Sequence, residues 1–157
     1  MQIVFRNKGT IDPRSIPTFG VSSKDNDSAI GYFGTGLKYA IAILLREGCN
    51  ITVHTGGETY QFGTEQQRVR VDDFTFVTMN GEPLSFTTEL GKNWKAWQAI
   101  RELWCNCLDE HGEAFSSEYF DDQPSADETV VVVSGREAAE AWSVRDTIIL
   151  PTQPLVV

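Results

Sequence analysis

Residues Gly31–Phe62, GYFGTGLKYAIAILLREGCNITVHTGGETYQF, decide the fold class. Gly31-Tyr32-Phe33-Gly34-Thr35-Gly36 runs into LKYAIAILLREG, whose nearly continuous apolar content and closing Gly48 predict a buried helix over Gly36–Arg46 with a glycine C-terminus. Ile51–Thr55 and Thr59–Phe62 then flank Gly56-Gly57, the signature of a β-hairpin. A buried helix leading straight into a hairpin implies a layer of helix packed on a layer of sheet.

Working outward, Phe74–Met79 and Leu84–Thr88 surround Asn80-Gly81-Glu82-Pro83, a second hairpin signal, with Arg68–Val71 available to pair with one of them. Asn93–Glu110, NWKAWQAIRELWCNCLDE, has helical periodicity, with Trp97, Ile100, Leu103, Trp104, Cys107 and Leu108 on one broad apolar face. Glu113–Glu128 carries Asp121-Asp122, Pro124 and Asp127-Glu128, and an acidic lid or loop is expected over about 111–128. Val130–Val133 reads as a central strand, Arg136–Trp142 as a short helix and Thr147–Leu150 as a last strand. Upstream, Ile3–Phe5 predicts a brief strand stopping at Asn7-Lys8-Gly9, and Asp12-Pro13 fits the cap and first residue of a helical turn over Pro13–Ile16. The expected fold is a single α/β (α+β) domain spanning residues 1–157. It is a two-layer sandwich, a mixed and mostly antiparallel sheet with the Gly36–Arg46 and Trp94–Asp109 helices on one face.

Composition narrows the function classes. The 13 Lys+Arg and 22 Asp+Glu leave a formal charge of −9, a field that repels a nucleic-acid backbone. No apolar run reaches the ~20 residues of a membrane span, and MQIVFRNKGT lacks the basic-then-apolar order of a signal peptide, so no membrane partner and a cytoplasmic location are expected. Cys49, Cys105 and Cys107 form no disulfide framework and read as reduced packing residues, while two histidines and no C-x-x-C pair leave zinc without an ordinary ligand set. Core packing is likewise the expected role of Trp94, Trp97, Trp104 and Trp142.

Chemistry concentrates in two places. Glu102, Asn106 and Asp109, at offsets of four and seven residues, share one helical stripe opposite the tryptophan face. Such a stripe is a solvent-facing polar surface unless a second element covers it; if one does, a carboxylate can serve as general base beside an amide oxygen that holds a metal ion. Gly31, Gly34 and Gly36 precede a helix, where bare backbone N–H groups converge on phosphate oxygens, and Lys38 adds a positive charge just inside it. The same glycines also fit a simple packing or turn device.

Glu102-Leu103-x-x-Asn106-x-x-Asp109 resembles the N box of the GHKL ATPases, the group with the Bergerat ATP-binding fold. Ile30 to Lys38, including Thr35 and Leu37, resembles that family's second glycine box. Gly20-Val21-Ser22-Ser23-Lys24 resembles its G-x-S-x-K stretch, and Asn7-Lys8-Gly9-Thr10-Ile11-Asp12 sits where a D-x-G-x-G box is expected. The glycine box precedes the N box here, the reverse of family order, which implies a circularly permuted domain. Phage and bacterial proteins described only as ATP-binding look similar over most of the chain.

The resemblance implies binding of ATP with Mg²⁺, and slow hydrolysis. Glu102 would act on the attacking water, Asn106 would bind Mg²⁺, and Asp109 would support the site through water or ribose. Gly31, Gly34 and Gly36 would contact phosphates within the box that also contains Thr35, Leu37 and Lys38, while Ser22, Ser23 and Lys24 would form the pocket rim. Asn7, with Gly9, stands at the adenine-reading position, where an amide accepts from an amino group without carrying charge, and Asp12 is its substitute. A second expectation is a non-catalytic, phage-encoded binding protein that sequesters a nucleotide or blocks a host protein. The expected partners are therefore a nucleotide, a host protein and a second copy of the chain.

Overall fold

The computed structural model describes residues 1–12 and 33–147. Among them, seven strands form one sheet, antiparallel at every pairing, with three α-helices covering one face. The strands are β1 (Gln2–Lys8), β2 (Asn50–Thr55), β3 (Glu58–Val69), β4 (Asp72–Met79), β5 (Glu82–Thr87), β6 (Glu113–Ser117) and β7 (Glu128–Ser134), in the order β5-β4-β3-β2-β7-β1-β6. The helices are α1 (Phe33–Arg46), α2 (Ala96–Asp109) and α3 (Arg136–Ser143). The two-layer α+β sandwich is thus the observed architecture. No helix among the described residues is long and apolar enough to cross a membrane.

The four valines of Val130–Val133 sit at the centre of this sheet because β7 is buried on both faces, between β2 and β1. Val131 and Val133 join Ile3, Phe5, Ile51 and Val53 beneath the helices, while Val130 and Val132 join Val4 on the reverse face with Phe115 and Phe120. β1 is longer than the three apolar residues predicted, since pairing with β6 carries it to Arg6 and pairing with β7 through Lys8.

α1 ends as its sequence predicts. Gly48 takes φ +80, and the N–H groups of Gly48 and Cys49 donate to the carbonyls of Leu45 and Leu44, a Schellman closure that a residue with a Cβ resists. α1 begins earlier than expected, at Phe33 instead of Gly36, so Gly34, Thr35 and Gly36 lie in its first turn and not in a loop before it. Each helical glycine costs about 1 kcal/mol relative to alanine, and packing against α2 overrides that propensity. Arg46, the last residue of α1, donates to the carbonyls of Thr88 (2.8 Å), Leu90 (3.3 Å), Gly91 (3.1 Å) and Trp94 (2.9 Å). This one guanidinium clamps the β5–α2 connection and sets α2 beside α1.

Three further expectations change. Glu113–Ser117, read as part of an acidic lid, is a strand, because Ala114 and Phe115 alternate between the two faces and complete β1's outer edge. Residues 118–127 then cross back without regular structure, as predicted. Thr147 closes a 3-10 turn, Arg145–Thr147, and is not in a strand. Trp97 is 42% exposed, whereas Trp142 is buried and Trp94 and Trp104 pack against the core. The predicted turn at Pro13–Ile16 and the rest of the predicted last strand, residues 148–150, lie outside the described residues.

On the reverse face, Arg6 Nε donates to Glu128 Oε1 at 2.8 Å, and Ser125 N–H donates to Glu128 Oε2 at 2.8 Å. Arg6 also reaches Asp122 (3.3 Å) and lies over the Phe120 ring, which ties the 118–127 segment to the sheet. The Arg6 hydrogen bond, with that from Ser125, holds the Glu128 carboxyl down from its ordinary 4.5 to about 2. A carboxyl depressed on folding contributes stability that is complete above its unfolded pKa and is lost as pH falls through the folded one. Urea unfolding between pH 6 and pH 3 should therefore show a larger loss for the native chain than for Glu128→Gln; equal losses would remove this pair from the acid response.

Candidate functional site

α2 starts at Ala96, where the Lys95 N–H donates to Gln98 Oε1 at 2.7 Å. Its buried residues are Ala96, Ala99, Ile100, Leu103 and Cys107. At 100° per residue, Asn106 and Glu102 fall roughly 60° and 100° to one side of Leu103, and Trp104 and Trp97 about 100° and 120° to the other. The polar stripe is therefore a flank of the buried face and not its opposite. Trp104 meets Trp142 of α3 at 5.7 Å between centroids, so α3 takes one flank and α1 the other.

Gly36 of α1 meets Glu102 on this flank. A methyl group built there would collide with Glu102 Oε1 and come within 2.8 Å of its Cδ, so the Glu102 carboxylate occupies the space a side chain at position 36 would fill. Asn106 Nδ2 donates to Glu102 Oε1 across one helical turn, at 3.4 Å. That bond fixes the amide with Oδ1, its acceptor atom, turned away from the carboxylate. Glu102 and Asn106 are both half-buried. A covering element, the condition for treating the stripe as more than surface, is thus present.

The other predicted residues divide. Lys38 is 1% exposed, and burial pushes its ammonium pKa down. Leu37 is core, packed with Ile41 and Leu44, so its side chain is no ligand group. The backbone of Gly34 and Thr35 lies in the first turn of α1, where helix N–H groups lack intrahelical acceptors. Asp109 lies within about 20° of Glu102 on the helix wheel but is exposed, at the last position of α2. Ser22, Ser23, Lys24 and Gly31 lie outside the described residues.

Asn7 is 5% exposed at the end of β1, and its Nδ2 donates to the Lys8 carbonyl at 2.8 Å. It sits beneath the C-terminal end of α2. Cys107 Sγ donates toward the carbonyls of Arg6 (3.3 Å) and Glu113 (3.2 Å), and burial pushes that thiol up to about 11. All three cysteines are free, as their spacing predicted. A polar cleft of about 570 Å³ opens beside Asn7, lined also by Arg6, Lys8, His111, Gly112, Glu113 and Glu128. The two parts of the site share α2: Glu102 faces α1, and Cys107, roughly 7.5 Å further along the axis, packs over β1.

Two threonines that sequence reasoning missed hold the turn after Asn7. Thr129 Oγ1 donates to the Gly9 carbonyl at 2.8 Å, and the Ile11 N–H donates to Thr55 Oγ1 at 2.8 Å. The two hydroxyls are 3.0 Å apart, and since Thr129 spends its proton on Gly9, Thr55 donates to it. Gly9 N–H meanwhile donates to the Asp127 carbonyl at 2.7 Å. Gly9 and half-buried Asp12 thus bracket a turn pinned to β2 and β7. Nothing in the sequence marks these threonines, because a Thr beside an apolar run is ordinary strand composition.

No family model, curated protein or solved structure matches the chain.

Proposed function

We propose that the chain binds a purine nucleoside triphosphate, ATP, with Mg²⁺, and hydrolyses it slowly. The observation that carries this reading is the Glu102 carboxylate seated on the bare Gly36 turn of α1 and bonded to Asn106. Gly36 of the glycine-rich stretch and Glu102 of the N-box-like stripe, far apart in the chain, touch one another, which supports reading them as parts of one site. The Asn7 turn lies about one helical turn and a half further along α2, a separation that suits the base and phosphate ends of one nucleotide.

Asn106 Oδ1 is a hard oxygen donor, which suits Mg²⁺. That ion keeps most of its shell as water and phosphate and needs few protein ligands, so a single amide oxygen beside the nucleotide suits it. When bound, Mg²⁺ neutralises charge on the phosphates. Glu102 takes a proton from the water as its oxygen attacks the terminal phosphorus, while the bond to the ADP oxygen breaks. Lys38, just inside α1, supplies positive charge for the phosphates. Asn7 Oδ1 accepts from an amino group on the base, since its Nδ2 is committed to Lys8.

Isothermal titration with ATP and ADP, with and without Mg²⁺, tests binding. Saturable Mg²⁺-dependent binding is expected, weakened by about tenfold or more in Asn106→Ala. Glu102→Ala should retain nucleotide and lose turnover by about 10²-fold or more. No binding at millimolar ATP would sink the proposal, and binding without turnover in the native chain would leave the non-catalytic, nucleotide-sequestering protein.

A further inference from the structure

We infer that β6 is the contact strand of a symmetric dimer, in which two copies of this chain join edge to edge into one continuous sheet. This inference is independent of nucleotide binding. The sheet's two ends are built differently. β5, at one end, carries Pro83, which lacks an N–H, and its pairing with β4 is broken by a bulge between Phe76 and Thr78. Both are devices that blunt an edge against further pairing. β6, at the other end, has neither: Glu113-Ala114-Phe115-Ser116-Ser117 contains no proline or lysine and pairs with β1 in unbroken register. Among the described residues β6 has a strand neighbour on one side only.

Side chains on β6 favour a second copy over an unrelated strand. Phe115 packs half-buried against Val4, Val130 and Val132, so the apolar cluster of the reverse face runs out to the last strand. A two-fold axis through Phe115 pairs every β6 residue with its partner strand. Phe115 then faces Phe115 of the second copy at cross-strand distance, a favourable aromatic pair. The same register sets Ala114 opposite Ser116 and Glu113 opposite Ser117, so the strand's one charge never meets its like. Two chains of formal charge −9 still repel at long range, so the dimer should tighten as salt screens that repulsion.

Analytical ultracentrifugation of the full chain across the micromolar range tests this at low and high salt. The mass should rise from 17.5 kDa towards twice that value, at lower protein concentration when salt is high. Ser116→Lys, which places a charge in the joint, should remain monomeric, and Ser85→Lys on β5 should dimerise like the native chain. Should Ser116→Lys fail to fold by circular dichroism, hydrogen exchange on the native chain decides, because β6 amides must become protected as concentration rises. A native chain that stays monomeric throughout, a dimer that survives folded Ser116→Lys, or β6 exchange independent of concentration would overturn the inference.

Discussion

Gly112→Val is expected to destabilise the protein by about 3 kcal/mol, at the upper end of what overpacking a dense site costs. Even a single methyl at position 112 would collide with the Arg6 carbonyl oxygen and lie 2.7 Å from both Asn7 Cβ and Cys107 Sγ. The Arg6 carbonyl belongs to β1, held between β6 and β7, and Cys107 is locked into α2 with its thiol on two carbonyls. Neither has a flexible end that can swing clear, so the α2–β6 connection itself must shift. For a domain of this size, 3 kcal/mol corresponds to a fall in Tm of roughly 6–12 °C. Thermal and urea unfolding followed by circular dichroism check this, and a change below about 0.5 kcal/mol, the range of an ordinary surface substitution, would show that the close approach is not rigid. Because Asn7 shares the contact, any nucleotide affinity should fall with it.

Gly36→Ala is expected to do the reverse, leaving stability within about 1 kcal/mol of native while abolishing the proposed ATP hydrolysis. Here the colliding group is the far end of a flexible side chain, Glu102, and alanine is the better helix former by about 1 kcal/mol. The new methyl therefore displaces the carboxylate from its seat beside Asn106 without dismantling α1. Hydrolysis assays read the loss, and a double-mutant cycle on stability reads the shared space independently of nucleotide. With Glu102→Ala in place the methyl has room, so Gly36→Ala should become stabilising, with a coupling energy of about 0.5–3 kcal/mol. Strictly additive effects would mean that the two residues do not share the space.

The contrast between these glycines shows where sequence reading reached and where it stopped. Gly36 was visible as part of a glycine-rich helix entry, but its use as a seat for Glu102 was not, because that needs the crossing of two helices far apart in the chain. Gly112 reads from sequence only as the end of a helix. Glu102 and Asn106 were legible as a pair from their four-residue spacing. Periodicity alone sets their stripe opposite the tryptophan face because it treats a helix as having one covered side, while α2 is covered by the sheet, α1 and α3 together. Trp97 is exposed for the same reason, its position on the wheel lying beyond the face that the sheet buries.

By itself, the sequence determined the class of fold: alternating and continuous apolar runs set the strands, the 3.6-residue period set the helices, and Gly48, Gly56-Gly57 and Asn80-Gly81 set where they end or turn. These are local properties, fixed by steric limits on a few consecutive residues. Only the tertiary structure decided that α1 begins at Phe33, that Glu113–Ser117 is a strand, and that Thr55 and Thr129 pin the Gly9 turn. Each depends on a partner from another part of the chain: α2 against a glycine, β1's open edge, a carbonyl awaiting a hydroxyl. Burial in such contacts outweighs a propensity difference of about 1 kcal/mol, and that is why local preference yields there.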